Sequence, residues 1–199
     1  MTDFSLPLSS LPLMIALAGP NGAGKSTYYS IYLKSSGLKW VNADDMARGL
    51  GLEVYEAAQL ADDTRRGLVQ ERSSFIFETV FSDPVGDKVE FLQEAVEAGY
   101  NVILCFIGIA GPETSEQRVS ARVAEGGHDV PNDKINTRYA RVLANLKQAL
   151  LLLPEVRVYD NQDSRNPFRL VAKCERGTIT ALHPPVPDWL RPLLPGSSR

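Results

Sequence analysis

The chain has 199 residues, of which 44% are hydrophobic and 23% charged, and its formal net charge is −3. This length is enough for one substantial core, and the composition is that of an ordinary globular protein. The slight acidic excess argues against a general nucleic-acid-binding protein, since such proteins usually carry a basic excess. No apolar run approaches the roughly 18 residues that a membrane-spanning helix needs.

The cysteine content and the N-terminus bear on the compartment. Only two cysteines occur. Cys105 lies inside an apolar run, so we expect it to be a buried core thiol, whereas Cys174 lies in a strand-like segment near the C-terminus. We expect both cysteines to be reduced and to form no zinc site. The first residues lack the basic and uninterrupted apolar regions of a secretory signal. We therefore expect a cytoplasmic protein.

Apolar strand-like runs alternate with helix-like runs along the chain, which is the pattern of a parallel α/β sheet. The predicted strands cover residues 13–18, 38–42, 74–78, 101–107 and 156–160. The predicted helices between them cover approximately residues 25–35, 55–72, 84–98, 114–124 and 132–153. Two further strand-like segments, 168–174 and 178–182, flank a turn and predict a C-terminal β-hairpin.

The octapeptide GPNGAGKS at residues 19–26 directly follows the first predicted strand. It fits the G-x-x-x-x-G-K-[ST] pattern in full, with a strand before it and a helix after it, as that pattern requires. Glycines let the backbone turn tightly, so that successive N–H groups and the helix N-terminus surround a polyphosphate. Lys25 is predicted to reach the β- and γ-phosphates, and the Ser26 hydroxyl to ligate Mg²⁺. The predicted nucleotide-binding residues are Gly19, Pro20, Asn21, Gly22, Ala23, Gly24, Lys25, Ser26 and Thr27.

Acidic residues follow the second predicted strand, at the sheet edge where ligands of parallel sheets gather. Phosphoryl transfer to an alcohol needs a carboxylate that orients the acceptor hydroxyl and takes its proton, and Asp44 is placed for that task. The alternative is that Asp44 caps a helix beginning near Met46, because Asp is a favoured N-cap residue. We expect Asp45 to be the cap.

The third predicted strand is apolar until it ends at Glu78 and Thr79. An acid in that position can ligate Mg²⁺, directly or through water, or hold the acceptor, and we assign Thr79 to the acceptor site with it. The alternative is that Glu78 only accepts a hydrogen bond from Thr79 or from neighbouring backbone.

Residues 114–141 have the composition of a mobile lid: basic groups on two helices joined by a glycine-containing loop that includes His128. Arginines that close over the γ-phosphate would offset its charge and exclude water. The alternative is a pair of solvated helices whose arginines form weak surface ion pairs. His128 is either an acceptor contact or a polar loop residue. The arginines of this segment are Arg118, Arg122, Arg138 and Arg141.

Taken together, GPNGAGKST, VNADD, FIFETVFS, RVSARVAEGGHDVP, INTRYARVLANL and VYDN resemble the zeta-toxin family of P-loop kinases. The chain is most similar to the chromosomal branch often labelled predicted ABC-type ATPase, although it has no LSGGQ-like signature. The resemblance covers about residues 13–161. It implies ATP-dependent phosphorylation of a sugar hydroxyl of UDP-N-acetylglucosamine.

The resemblance also implies roles for single residues. Lys25 matches the family's phosphate-binding lysine, Asp44 its catalytic base, Glu78 its strand-three glutamate and Arg122 its first lid arginine. His128 falls where the family has a second lid arginine, so that role passes to Arg138 or Arg141, or the acceptor differs. An antitoxin protein is a further partner that the resemblance implies, although the N-terminal extension here is short.

We therefore predict a three-layer α/β fold of the P-loop NTPase type, with about five parallel strands and helices on both faces. Residues 1–183 form one kinase domain, with the lid at approximately 114–141, and residues 184–199 form a Pro-rich tail without regular structure. The predicted reaction is transfer of the γ-phosphate of ATP, with Mg²⁺, to a hydroxyl of a nucleotide sugar or related metabolite. The alternatives are an ATP-hydrolysing switch and a polynucleotide 5′-kinase, the latter disfavoured by the net charge.

Overall fold

The computed structural model describes residues 10–124 and 132–196, without the side chains of residues 121–136. Seven strands lie within these residues: β1 (Leu13–Ala18), β2 (Lys39–Val41), β3 (Phe75–Thr79), β4 (Asn101–Gly108), β5 (Glu155–Asp160), β6 (Arg169–Glu175) and β7 (Thr178–Leu182). The α-helices of the same residues are α1 (Lys25–Tyr28), α2 (Ala43–Leu50), α3 (Val54–Gln70), α4 (Asp87–Glu97), α5 (Gly111–Ala124) and α6 (Asn132–Leu152). None of the described helices is long and apolar enough to cross a membrane.

The strands form one sheet in the order β2-β3-β1-β4-β5-β6-β7. Strands β1 to β5 pair in parallel, as predicted, and β1 lies in the middle of them between β3 and β4. Ala18, the last residue of β1, is level with Thr79 on one side and Phe106 on the other. This register brings the carboxyl ends of β1 and β3 to the same height, directly below the phosphate loop.

Both faces of the sheet are covered, which confirms the three-layer fold. Met14, Ala16 and Ala18 of β1 face one buried cluster, to which α3, α4 and α6 contribute. The alternating residues Ile15 and Leu17 face a second cluster under α1. Because successive side chains of a strand point to opposite faces, an unbroken apolar run such as β1 requires a layer on each side.

The C-terminal hairpin forms as predicted, but it also extends the sheet. Strand β6 pairs antiparallel with β5, and β7 pairs antiparallel with β6, so the sheet is wider than the predicted five strands. The first predicted helix is also less regular than expected. After Tyr28 it continues as a π-helical segment over Tyr29–Leu33 and a 3₁₀ turn over Lys34–Ser36.

The two cysteines are free and buried, which confirms the prediction of a core thiol for Cys105. Burial raises the pKa of the Cys105 thiol to about 12 and that of Cys174 to about 11. Both groups therefore stay protonated at neutral pH, and neither has the character of a nucleophile.

The prediction that the Pro-rich tail has no regular structure is wrong for part of it. A 3₁₀ helix spans Arg191–Leu193, and Leu190 is fully buried in the cluster to which α6 contributes. The indole of Trp189 covers Gly108 so closely that a Cβ there would lie 2.2 Å from the ring. Prolines prevent sheet and helix pairing but leave apolar side chains free to pack, which is why composition alone misses this contact. The boundary between residues 183 and 184 stays a prediction.

We expect the Leu190→Ala variant to lower the free energy of unfolding by about 2–4 kcal/mol, because a buried leucine is lost and a cavity is left. Chemical denaturation with matched m-values measures the change. The control is Leu182→Ala, since Leu182 is 43% exposed, and it should cost less than about 1 kcal/mol. Equal stability of the Leu190→Ala variant and the unmodified protein would show that the tail does not pack on the core.

Candidate active site

The phosphate loop connects β1 to α1, and its backbone passes very close to β4. Gly19 has a φ of +145°, and a Cβ at this position would lie 2.1 Å from the carbonyl oxygen of Ile107. Gly24, with a φ of +92°, precedes α1, and a Cβ there would lie 2.7 Å from Asn161 Nδ2. Both positions therefore require glycine for space as well as for conformation.

Five successive carbonyl oxygens of the loop, from residue 19 to residue 23, accept hydrogen bonds from side chains. Three of these bonds come from distant elements. Ser115 Oγ donates to Asn21 O at 2.6 Å, Arg118 Nη1 to Gly22 O at 3.5 Å, and Asn161 Nδ2 to Ala23 O at 2.9 Å. Because Ser115 and Asn161 hold the carbonyls of Asn21 and Ala23 from outside, the N–H groups of the same two peptides, those of Gly22 and Gly24, are left for the concave side, where an anion binds. The N–H group of Ala23 instead donates to Pro20 O at 3.3 Å.

Lys25 is buried, and its ammonium group bends back over the loop. It donates to Gly19 O and Pro20 O, both at 3.0 Å, and its Nζ lies 3.7 Å from Glu78 Oε1. Helix α1, which begins at Lys25, has no side-chain cap at its N-terminus. The uncapped N–H groups and the lysine therefore converge on the concave side of the loop, as a triphosphate site requires.

Glu78 is the centre of a hydrogen-bonded group at the end of β3. Its Oε2 accepts from Ser26 Oγ at 2.7 Å and from Asn42 Nδ2 at 2.9 Å. The alternative in which Glu78 only binds Thr79 or local backbone is wrong, because its partners come from the phosphate loop and from the end of β2. Thr79 Oγ1 instead accepts from Phe81 N at 3.2 Å, and its assignment to the acceptor site stays a prediction.

Asp44 lies in the first turn of α2 with its side chain exposed, and it caps nothing. The N-cap of α2 is Asn42, whose Oδ1 accepts from Asp45 N at 3.0 Å. The expectation that Asp45 is the cap is therefore wrong: Asp45 accepts from Trp40 Nε1 and pairs with Arg48. Among the described residues, Asp44 has no hydrogen-bond or ion-pair partner, so its carboxylate is free to act on a ligand.

The lid is described only in part. The side chain of Arg122 and the whole of His128 lie outside the described residues. Arg138 is half-buried in a crevice that it lines with Pro20 and Asn21 of the phosphate loop. Arg141, on the next turn of α6, is exposed and has no hydrogen bond or ion pair to a described residue. The structure thus brings Arg138, but not Arg141, to the edge of the phosphate loop.

Helix α6 is fixed near the loop by Tyr139. Its hydroxyl donates to Ile109 O at 2.8 Å and accepts from Gly111 N at 3.0 Å. These bonds tie α6 to the junction of β4 and α5. The backbone that carries Arg138, the residue before Tyr139, is therefore held in place beside the phosphate loop.

Several residues of the site were not predicted from sequence. Arg118 was interpreted as a lid arginine, yet it donates to the phosphate loop and, through Nη2, to Asn161 O at 2.9 Å and Gln162 O at 3.4 Å. For Ser115, one turn earlier on α5, the sequence predicts a helix but gives no indication of a contact with the phosphate loop. Asn161 could have been found, because it follows β5 at the sheet edge where ligands gather. Asn42 had the same signal at the end of β2.

Comparison with known proteins adds the family. The sequence profile described as Zeta toxin matches residues 52–169, which is more than half of the chain. The chain belongs to the zeta toxin family. A curated relative of this chain is an uncharacterized protein of Haemophilus influenzae, 28% identical over 131 residues that cover 63% of this chain and 91% of the relative.

Solved structures agree with this fold. The chain resembles a chain of the AvrRxo1-ORF1:-ORF2 complex crystallised with ATP, with a TM-score of 0.64 and 21% identity over 86% of this chain and 60% of that one. The match therefore spans less than two thirds of that chain. It also resembles a structure of the PezAT chromosomal toxin-antitoxin system of Streptococcus pneumoniae, with a TM-score of 0.61 and 21% identity over 83% of this chain and 73% of that one. At these identities the likeness establishes the P-loop kinase fold.

Zeta toxin kinases use ATP and Mg²⁺, and the residues present here fit both. The phosphate loop, Lys25 and the uncapped start of α1 suit a triphosphate. Among the described residues, no group of three or more His, Cys, Asp or Glu side chains could hold a metal ion alone. Mg²⁺ in kinases takes one or two protein ligands and completes its shell with phosphates and water. Ser26 and Glu78, whose oxygens lie 2.7 Å apart, are a donor set of that kind.

Proposed function

We propose that this kinase transfers the γ-phosphate of ATP to a hydroxyl group of UDP-N-acetylglucosamine or a related nucleotide sugar. The observation that carries the proposal is the free carboxylate of Asp44. Asp44 lies two residues after Asn42, whose side chain is bonded to Glu78 of the Lys25–Glu78–Ser26 group, and this nearness in the chain supports the proposal. A carboxylate with no structural partner at the phosphate end of the site is what transfer to an alcohol needs.

In this proposal each residue has one task. Asp44 accepts the proton of the acceptor hydroxyl. At the same time the hydroxyl oxygen bonds to the γ-phosphorus, and the bond between that phosphorus and the β,γ-bridging oxygen breaks. Lys25 holds the β- and γ-phosphates. Ser26 and Glu78 would hold Mg²⁺, which would neutralise charge on the phosphates. Asn42 fixes Glu78 and at the same time begins the helix that carries Asp44, so it is a positioning residue for both carboxylates.

Arg138 is our choice for the second lid arginine, in place of Arg141 and of His128. It lines the crevice beside Pro20 and Asn21, whereas Arg141 points to solvent. A guanidinium at the rim of the phosphate loop can form a paired contact with the transferring phosphoryl group. The role of Arg122 as the first lid arginine remains an inference from the family resemblance.

A protein partner of the antitoxin kind is also part of the proposal. AvrRxo1-ORF1 was crystallised with AvrRxo1-ORF2, and PezAT is a toxin-antitoxin system. We infer that a kinase of this family, with an exposed general base and a small-molecule acceptor, is controlled by a bound protein.

The acceptor is tested by measuring phosphate release from γ-labelled ATP with and without UDP-N-acetylglucosamine, beside direct detection of phosphorylated sugar nucleotide. We expect labelled sugar nucleotide and slow hydrolysis without acceptor, because the site keeps water from the γ-phosphate. Lys25→Ala should abolish both. Fast hydrolysis without a labelled product would favour the ATP-hydrolysing switch. Labelling of a 5′-hydroxyl oligonucleotide alone would favour the polynucleotide kinase, and labelling of another metabolite would change only the acceptor.

The Asp44→Asn variant should lower kcat by about 10²- to 10⁴-fold and leave the Kd for ATP nearly unchanged, since proton transfer is lost and the nucleotide contacts remain. Asn42 caps α2, so the melting temperature should not move. Asp45→Asn is the matched control, because it changes the neighbouring carboxylate in the same helical turn. A variant of Asp44 with full turnover would remove it as the general base.

Arg138→Ala should lower kcat by about 10²-fold or more with a smaller effect on the KM for ATP, because the contact forms chiefly in the transition state. Arg141→Ala should change kcat by less than about threefold, as expected of an exposed surface residue. Steady-state kinetics of the two variants under the same conditions make the comparison. The opposite order of effects would assign the second lid arginine to Arg141.

A further inference from the structure

The segment that follows β3, residues 80–86, begins beside the phosphate loop. Thr79, the last residue of β3, is level with Ala18, the last residue of β1. Val80 lines the crevice at the edge of the phosphate loop that Arg138 also lines. If the proposed function holds, the acceptor substrate binds on the side of the phosphate loop where β3 ends. The start of this segment then borders the acceptor.

Phe81 gives the segment an unusual backbone conformation. Its φ is +64°, in the left-handed region that residues with a Cβ seldom adopt and that costs free energy. In this conformation the N–H group of Phe81 donates to Thr79 Oγ1 at 3.2 Å. A hydroxyl group that accepts one hydrogen bond keeps its own hydrogen for donation, and no described residue accepts from Thr79 Oγ1. The conformation of Phe81 therefore restricts the directions in which Thr79 can donate to a ligand.

Asn145, on α6, holds the backbone of this segment at two points. Its side chain is buried, and its Nδ2 donates to Phe81 O and Asp83 O, both at 3.0 Å, and to Asp83 Oδ1 at 3.3 Å. Because carbonyl oxygens only accept hydrogen bonds, these contacts fix which end of the amide faces the segment. The segment cannot leave its conformation without breaking buried hydrogen bonds, and leaving those groups without partners costs free energy.

The helix that carries Asn145 also reaches the phosphate loop. Arg138 and Asn145 are seven residues apart on α6, which is close to two full turns, so they lie on the same side of the helix. Between them, Tyr139 fixes the helix to the junction of β4 and α5. Asn145 thus holds the segment after β3 in a fixed position relative to Arg138 and the phosphate loop.

We propose that Asn145 is a positioning residue for the acceptor substrate. It keeps Phe81 in the left-handed conformation, and the N–H group of Phe81 in turn orients the Thr79 hydroxyl so that it donates to the acceptor. This role rests on the proposed function, because it requires an acceptor bound beside the end of β3. The competing explanation is that Asn145 only joins α6 to the segment and contributes to stability.

A double-mutant cycle of Asn145→Leu and Thr79→Val separates the two explanations, with UDP-N-acetylglucosamine as the acceptor. Leucine has a similar volume without donors, and valine replaces the Thr79 hydroxyl by a methyl group. Each single variant should lower kcat/KM for the acceptor about tenfold, as expected for the loss of one hydrogen bond to a substrate. The double variant should be no worse than either single variant, because both remove the same contact. The Kd for ATP should stay within about twofold throughout.

Lys147→Ala, which changes an exposed residue of α6, is the matched control and should leave kcat/KM for the acceptor unchanged. Melting temperatures show that each variant is folded, and Asn145→Ser, which is too short to reach both carbonyl groups, replaces Asn145→Leu if leucine prevents folding. Hydrogen exchange of the Phe81 amide should be at least about tenfold faster in the Asn145 variant, because the bond to Thr79 is released.

Three results would overturn this role for Asn145: unchanged exchange of the Phe81 amide, unchanged kcat/KM in the Asn145 variant, or losses that multiply in the double variant. The last result would leave Asn145 with a stabilising role alone. Failure of the proposed function is distinguishable, because the unmodified protein would then yield no phosphorylated acceptor at all. That result would overturn the proposed function and, with it, the role of Asn145.

Discussion

The hydrogen bonds to the carbonyl groups of the phosphate loop are the constraint on which the site depends. A glycine-rich segment has many accessible conformations, and fixing one of them costs conformational free energy. Here Lys25 holds the first two carbonyls, and the donors to the next three come from Ser115, Arg118 and Asn161, on elements far away in the sequence. The bonds from Ser115 and Asn161 leave the N–H groups of Gly22 and Gly24 for the anion. The anion site is thus built in part by groups that do not touch the anion.

The same constraint explains why the elements around the loop lie where they do. Asn161 reaches Ala23 because β5 ends level with Gly108, and Gly108 must be a glycine because Trp189 lies against it. Ser115 and Arg118 reach the loop because they are one turn apart on α5. On the other side of β1, Glu78 reaches Ser26 because Thr79 is level with Ala18. The register of the parallel strands thus determines which side chains reach the phosphate loop.

Much of the fold could be predicted, because its signals are local. The bounds of β1 follow from its apolar run, and the phosphate loop from its motif. The contacts of Arg118 could not be predicted, since a helical arginine looks the same whether it faces solvent or a carbonyl 96 positions away. The cap of α2 was placed wrongly because Asn42, Asp44 and Asp45 are all favoured N-cap residues, and only the backbone decides among them. The buried tail is a further case, because Leu190 has its partners in distant helices.

The charges of the site show why these long-range contacts have to be accurate. The described groups nearest the concave side of the loop are one cation, Lys25, and one anion, Glu78, at 3.7 Å from each other. They largely offset each other, and the exposed Asp44 adds a further negative charge in the first turn of α2. A triphosphate therefore meets little net positive charge from the fixed side chains. Its binding has to rest on the aligned N–H groups, on Mg²⁺ and on arginines at the rim. N–H groups act on an anion only over short distances and in the right direction. For a site of this charge composition, the shape of the loop is therefore the main determinant of affinity, and the residues that hold its carbonyls matter as much as the lysine.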